Sequence, residues 1–156
     1  MLPISSILWP SDGEKPSYIA LQAAVEIARE FKARLYALRV VNRVPPLVVG
    51  TAYVPMMDTK AFDVPQYQQE LVTTAEYDLS QAVKEKVPPE IDVVVNVEVG
   101  FPAEVINEFA QKNNIDLIVM ATHGRTGLSH LMIGSVAEKT IRHSSVPLLI
   151  LPTRAE

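Results

Sequence analysis

Apolar residues along this 156-residue chain alternate between short β-branched runs and longer stretches with helical spacing. Ile4 to Pro10 is a run of the first kind, broken by the turn residues Ser11-Asp12-Gly13. Ser17 then has the character of a helix cap. It precedes Ala20, Ala24, Ile27, Ala28 and Phe31, which recur at spacings of three and four and mark one face of a helix. Arg34 to Val41 forms the second extended run, and the valine-rich stretch Ile91 to Val99 the third. Gly100 ends it, and Pro102 suits the first turn of a helix carrying Val105, Ile106, Phe109 and Ala110. Asp116 to Ala121 is almost continuously apolar, the pattern of a strand buried on both faces. Val146 to Leu151 is the fifth extended run.

Between the second and third runs, Pro65 to Lys86 predicts a helix with Leu71, Ala75, Leu79, Ala82 and Val83 as its buried stripe. The stretch before it, Asn42 to Val64, carries prolines at 45, 46 and 55 and has no clear period. Segments of this length are usually lids, interaction surfaces or mobile stretches, and the sequence leaves that choice open. Five alternations of strand and helix predict an α/β fold, a parallel sheet with helices on both faces. Right-handed crossovers restrict it to a doubly wound sheet, which binds ligands at the carboxyl ends of its strands where the winding reverses. With strands one and four flanking that point, the ligand residues should follow Pro10 and Met120.

Composition narrows the picture. The length suits a single domain spanning residues 1–156. Hydrophobic residues at 48% and charged ones at 21% make an ordinary globular mixture. A formal net charge of −4, with no local basic cluster, argues against nucleic-acid or anionic-membrane partners. With no cysteine, disulfides, thiolate metal sites and cysteine nucleophiles are excluded. No Lys or Arg precedes Lys15, so a signal peptide is not expected, and no apolar run approaches the ~20 residues of a membrane span. The expectation is a cytoplasmic protein.

The main candidate for chemistry is the stretch Met120 to Val136. It leaves a buried strand, passes Gly124 and Gly127, and enters a helix at Gly134-Ser135. Backbone N–H groups in a Gly-rich turn and at a helix N-terminus bind phosphate, and Arg125 would add positive charge beside them. The alternative is purely structural: Ser135-Val136-Ala137-Glu138 also reads as a capping box, and the glycines as turn residues. A Walker loop fails on spacing, and no G-x-G-x-x-G follows any strand. Asp12 could accept hydrogen bonds from a sugar or base, or simply form an Asx-type turn. His123 and His130 fall in the same loop without an acidic ligand cluster, so no metal site is read there. His143 and Arg142 suit the carboxyl end of the last helix. No nucleophile–base pair is visible, and no catalytic residue is assigned. The apolar last strand would need a cover along its edge, and a second copy of the chain is one such cover.

These residues resemble the universal stress protein family, over essentially the whole chain. The resemblance rests on ILWPSD near the start, the five-strand alternation and ATHGRTGLSHLMIGSVAEKTIRHSSVPLLIL at the end. The nucleotide-binding branch of the family has the pattern G-x2-G-x9-G-[ST], which here reads Ala121-x2-Gly124-x9-Gly134-Ser135. The resemblance implies a three-layer, Rossmann-like α/β sheet with strand order 3-2-1-4-5. It also implies a stress-response protein that binds ATP, ADP or AMP, with magnesium or manganese on the phosphates. The adenosine side would then meet Pro10, Ser11, Asp12, Val40 and Met120. The phosphates would meet Gly124, Arg125, Gly134, Ser135 and Val136, with Ala121 and His123 in the same loop. A homodimer through Val146 to Leu151 is implied as well. The departure is Ala121: a positive φ there would cost roughly 1–2 kcal/mol, whereas a β conformation would cost little. Three uses stay open: a nucleotide-dependent switch, a slow ATP hydrolase on the same site, and a nucleotide-free dimeric interaction module.

Overall fold

Side chains of a strand point alternately to opposite faces, so a sheet covered on both sides needs strands that are apolar at every position. The first strand has that character. In the computed structural model, which describes residues 3–45, 63–122 and 133–153, Ile7, Leu8 and Trp9 are all fully buried. The elements in chain order are β1 (Ser6–Pro10), α1 (Lys15–Phe31), β2 (Arg34–Val41), α2 (Val64–Lys86) and β3 (Val93–Val99). They are followed by α3 (Pro102–Lys112), β4 (Leu117–Thr122), α4 (Ser135–His143) and β5 (Leu148–Pro152). The strands form one parallel sheet in the order β3-β2-β1-β4-β5, the order the resemblance implies.

β1 lies at the centre. It pairs with β2 from Ser6↔Arg34 to Pro10↔Leu38, and with β4 at Ile7↔Leu117 and Leu8↔Ile118. The winding reverses between β1 and β4. On one face Ile7, Trp9, Leu35, Ala37 and Val119 pack under α1 and α2. On the other, Leu8, Leu38, Ile118 and Met120 pack with Ile106 and Phe109 of α3 and Ala137 of α4. Ala20, Ala24 and Ala28 bring α1 close to the sheet, and Trp9 fills the space beside them, its Nε1–H donating to the Ser17 carbonyl at 2.8 Å. β3 and β5 form the two edges; β3 interrupts its valines with Asn96 and Glu98, whereas β5 reads LLILP.

Several boundaries differ from the sequence reading. α1 begins at Lys15 with Glu14 at the N-cap, so Ser17 is not the cap but a buried residue of the first turn. Its hydroxyl turns back to the Glu14 carbonyl instead (2.7 Å). Phe31 is 44% exposed: the buried face of α1 runs through Ala20, Leu21, Ala24, Val25 and Ala28 and ends before this last residue. On α2, Ala75, Leu79 and Ala82 are buried, while Leu71 and Val83 are half-buried. β1 starts at Ser6 rather than Ile4, and β3 at Val93 rather than Ile91, where the Ile91 N–H closes a turn onto the Pro88 carbonyl. β5 starts at Leu148, because the Val146 N–H is taken by the Ser144 hydroxyl. The part of the Asn42–Val64 segment at residues 46–62 lies outside the described residues. Among the described residues no helix is long and apolar enough to cross a membrane.

Asp116 fastens the amino ends of β1 and β4. Its Oδ2 accepts from the Ser5 N–H (2.8 Å), the Ser5 hydroxyl (2.9 Å) and the Ser6 N–H (3.0 Å). The Ser6 hydroxyl shares its proton between this oxygen (3.0 Å) and the Asn114 carbonyl (2.7 Å). Burial works against the carboxylate charge, but the hydrogen bonds from Ser5 and Ser6 outweigh it and hold the Asp116 carboxyl below its usual range. A depressed folded pKa means that this stabilisation is present above the unfolded value and is lost as pH falls through the folded one. Asp116→Asn should therefore cost about 1–2 kcal/mol at neutral pH. In denaturant titrations, the gap to wild type should close below about pH 4. A gap that persists in acid would show that the carboxylate charge is not the agent.

Candidate ligand-binding site

At the other end of the sheet, β1 and β4 separate. The Ser11 N–H extends the β1–β2 ladder by one bond, to the Leu38 carbonyl at 2.8 Å. The chain then turns through Asp12 and Gly13 into α1. Gly13 takes φ 82°, and Asp12 Oδ1 accepts the Glu14 N–H at 2.9 Å, so the Asx-type turn weighed from the sequence forms. Gly13 is needed for that φ; a Cβ there would also lie 2.5 Å from Nη2 of Arg39, the far end of a flexible side chain that can move aside.

The opening between these loops is a cavity of about 520 Å³, within the range of small-molecule sites. It is lined by Pro10, Ser11, Asp12, Val40, Met120, Ala121, Gly134, Ser135 and Val136. The structure thus brings together nine of the residues singled out from the sequence, from both sides of the sheet's switch point. His123, Gly124 and Arg125 lie outside the described residues, as do Gly127 and His130. Sequence reasoning missed Ser17, Leu38, Pro102, Ile106, Ile133 and Ala137. Pro102 and Ile106 stand i, i+4 on α3, a spacing visible in the sequence. Ser17 was assigned to a cap, and nothing local marked Leu38.

Three features define what the cavity presents. The first is the start of α4. The capping box does not form: Gly134 occupies the N-cap position, Ser135 is the first helical residue, and no side chain caps the helix. A side-chain cap needs an oxygen at the N-cap position, which Gly134 does not have. Glu138 instead pairs with Arg142 one turn on, at 2.8 Å. The α4 N-terminus borders the cavity with its first N–H groups not given to a side-chain cap.

The second feature is Ala121. It lies in β4 opposite Leu151, and among the described residues the non-glycine positions with positive φ are Lys32 and Asn114. Ala121 therefore bears no left-handed strain, which settles its backbone as the β conformation.

The third is the backbone of Val40. The Leu35 N–H bonds toward β3, at the Asp92 carbonyl, and the Leu38 carbonyl accepts from β1's side, at Ser11. Parallel strands alternate these directions residue by residue. The N–H and C=O of Val40 thus face β1's side, beyond the point where β1 turns away. Leu38, Val40, Pro102, Ile106 and Met120 make the walls around them apolar.

A second depression, about 630 Å³, lies at the amino ends of the strands. Its guanidinium groups are already paired, Arg29 with Glu90 at 3.0 Å and Arg34 with Asp92 at 2.6 Å. The hydrogen bond to Asp92, with help from Tyr36, holds the Arg34 proton more firmly than usual. Doubly wound sheets place ligands at the other end. At the carboxyl end of α4, the ring Nδ1 of His143 lies 3.1 Å from the Lys139 carbonyl, and Arg142 sits in the same last turn.

Residues 3–152 match the family model described as the universal stress protein family. Universal stress protein MJ0531 of Methanocaldococcus jannaschii is 35% identical over 147 residues, covering 93% of this chain and 80% of that protein. The solved structure of MJ0577, also from Methanocaldococcus jannaschii, superposes with a TM-score of 0.74 at 23% identity, covering 99% of each chain. A universal stress protein solved in complex with cAMP superposes with a TM-score of 0.60 at 21% identity, covering 97% of this chain and 99% of that one.

The turn that carries Asp12 yields a direct test. Gly13→Ala should cost about 1–2 kcal/mol through its positive φ, a fall in Tm of roughly 2–8 °C. Adding Arg39→Ala to make room should not restore it, because the strain lies in the backbone. Recovery in the double variant would assign the cost to the clash instead.

Proposed function

The chain belongs to the universal stress protein family, and we propose that it is a stress-response regulatory protein that binds an adenine nucleotide in the cavity between β1 and β4. The observation that carries this reading is the convergence of Pro10, Ser11, Asp12, Val40, Met120 and the α4 N-terminus on one cavity at the point where the winding reverses. In this reading the base occupies the apolar slot between Leu38, Val40, Pro102, Ile106 and Met120. The Val40 N–H and C=O, side by side, complement the acceptor and amino donor on one edge of adenine. The phosphates lie toward Gly134, Ser135 and Val136, where the helix dipole favours negative charge. Gly124, Arg125 and His123 of the same motif would complete that end. The unstrained backbone of Ala121 supports the reading, since the one departure from the family pattern imposes no conformational cost. A protein of the same fold solved with cAMP, itself an adenine nucleotide, supports it too.

Among the described residues no three His, Asp or Glu side chains converge. A magnesium or manganese ion would be held mainly through the phosphates, as magnesium usually is, and no step is assigned to it. The role is one of binding and release within a single cytoplasmic domain, with nucleotide occupancy passed to a partner. The edge strand β5, whose Leu149 is 39% exposed, is the surface for pairing with a second copy.

The reading is tested by identifying any nucleotide released from purified protein by mass spectrometry, then titrating ATP, ADP and AMP calorimetrically with magnesium present. Absence of binding at millimolar concentrations would sink it. Ser135→Glu should leave the helix intact or firmer, by about 0.3–1 kcal/mol. It should weaken ATP about tenfold or more, and adenosine far less, because the new carboxylate opposes phosphate. Equal loss for both ligands would place the phosphates elsewhere. A charge at Leu149 should shift sedimentation from dimer to monomer, and an unchanged profile would reject β5 as the interface.

A further inference from the structure

Ser17 lines the cavity, yet no motif marks it. It is 5% exposed, and its Oγ lies 2.7 Å from the Glu14 carbonyl oxygen. A carbonyl only accepts, so the Ser17 hydroxyl proton is committed to that bond. Ser11, 7% exposed, has its Oγ 3.2 Å from the Ser17 Oγ. With the Ser17 proton spent, Ser11 is the donor of this pair. The Gly13 N–H in turn donates to the Ser11 Oγ at 3.2 Å. The chain of hydrogen bonds runs one way, from Gly13 to Ser11 to Ser17 to Glu14. Each hydroxyl has given its proton to the protein and retains one lone pair. Beside them stands the Asp12 carboxylate, which accepts and does not donate.

We propose that this directed hydroxyl chain makes the Ser11 and Ser17 hydroxyls, at their end of the cavity, acceptors that cannot donate, and that Ser17 thereby determines which ligands are admitted against them. The ligand has to present N–H or O–H at that end, either the exocyclic amine of a base or the hydroxyls of a sugar. A ligand carbonyl in the same place would face lone pairs with no proton between them, leaving acceptors unmet on both sides. The inference rests on the nucleotide reading and adds a direction to it: amino over oxo at the base, or diol over deoxy at the sugar.

Ser17→Ala breaks the chain at one point. The Ser11 proton loses its acceptor and is free to turn toward the ligand, while alanine suits the helical position well. Wild type and variant are titrated with ATP, ITP and 2′-deoxy-ATP under the same conditions. Val40 already favours an amine over an oxo group, so ATP over ITP is expected in the wild type either way. The hydroxyls should add about tenfold to that ratio if the second amine hydrogen faces them, or give about tenfold for ATP over deoxy-ATP if the diol does. In Ser17→Ala that same ratio should shrink by about threefold to tenfold, with the other ratio unchanged. General damage to the pocket would weaken all three ligands together and leave both ratios where they were. Binding with both ratios unaltered by Ser17→Ala overturns the inference and leaves the nucleotide reading standing. A wild-type protein that binds none of the three overturns both.

Discussion

The grip of Asp116 on Ser5 and Ser6 seats β1 against β4 at the amino end of the sheet, and the rest of the architecture follows from where that contact stops. β1 is matched to β2 along its whole length but to β4 only at Ile7 and Leu8. The two central strands are therefore tied at one end and part at the other. Helices cross over in opposite senses on either side of this junction, so among the described residues no helix closes the gap at the carboxyl ends. The cavity is what remains when a doubly wound sheet is fastened at its base and open at its top.

Packing beneath the cavity and polarity within it are joined through one side chain. Trp9 is fully buried among the small residues of α1, and its indole N–H holds the Ser17 carbonyl. That bond fixes the first turn of α1 relative to β1, and with it the spacing of the Ser11 and Ser17 hydroxyls. The core thus positions the polar groups that line the cavity above it. The opposite wall is set differently, by the choice of glycine at 134, which leaves the start of α4 without a side-chain cap.

Much of this was legible in the sequence. Alternation of apolar runs gave the five strands, and the switch-point argument pointed to the residues after Pro10 and Met120. Those signals survive because period and burial are local consequences of the sheet. What was not legible concerns the choice of hydrogen-bond partner. Ser17 had the composition of a cap but lies inside the helix, and its proton goes to Glu14. Ser135 and Glu138 had the spacing of a capping box, yet Glu138 prefers Arg142. Phe31 kept the period of a buried stripe and is nonetheless exposed. For the two serines several partners satisfy the same spacing, and tertiary context selects among them, whereas Phe31 lies at the helix end beyond the last buried residue, Ala28.

The two margins of the sheet are unlike. β3 breaks its valines with Asn96 and Glu98, while β5 is apolar until Pro152. A strand margin without polar interruption invites addition of another chain, and margins open on both sides would let copies add without limit. Here one margin is guarded. Copies meeting through β5 use the same surface on each, so the contact saturates when two have met. If copies of the chain pair through β5, as proposed, this asymmetry would give assembly a stopping rule, favouring a closed pair over a growing filament.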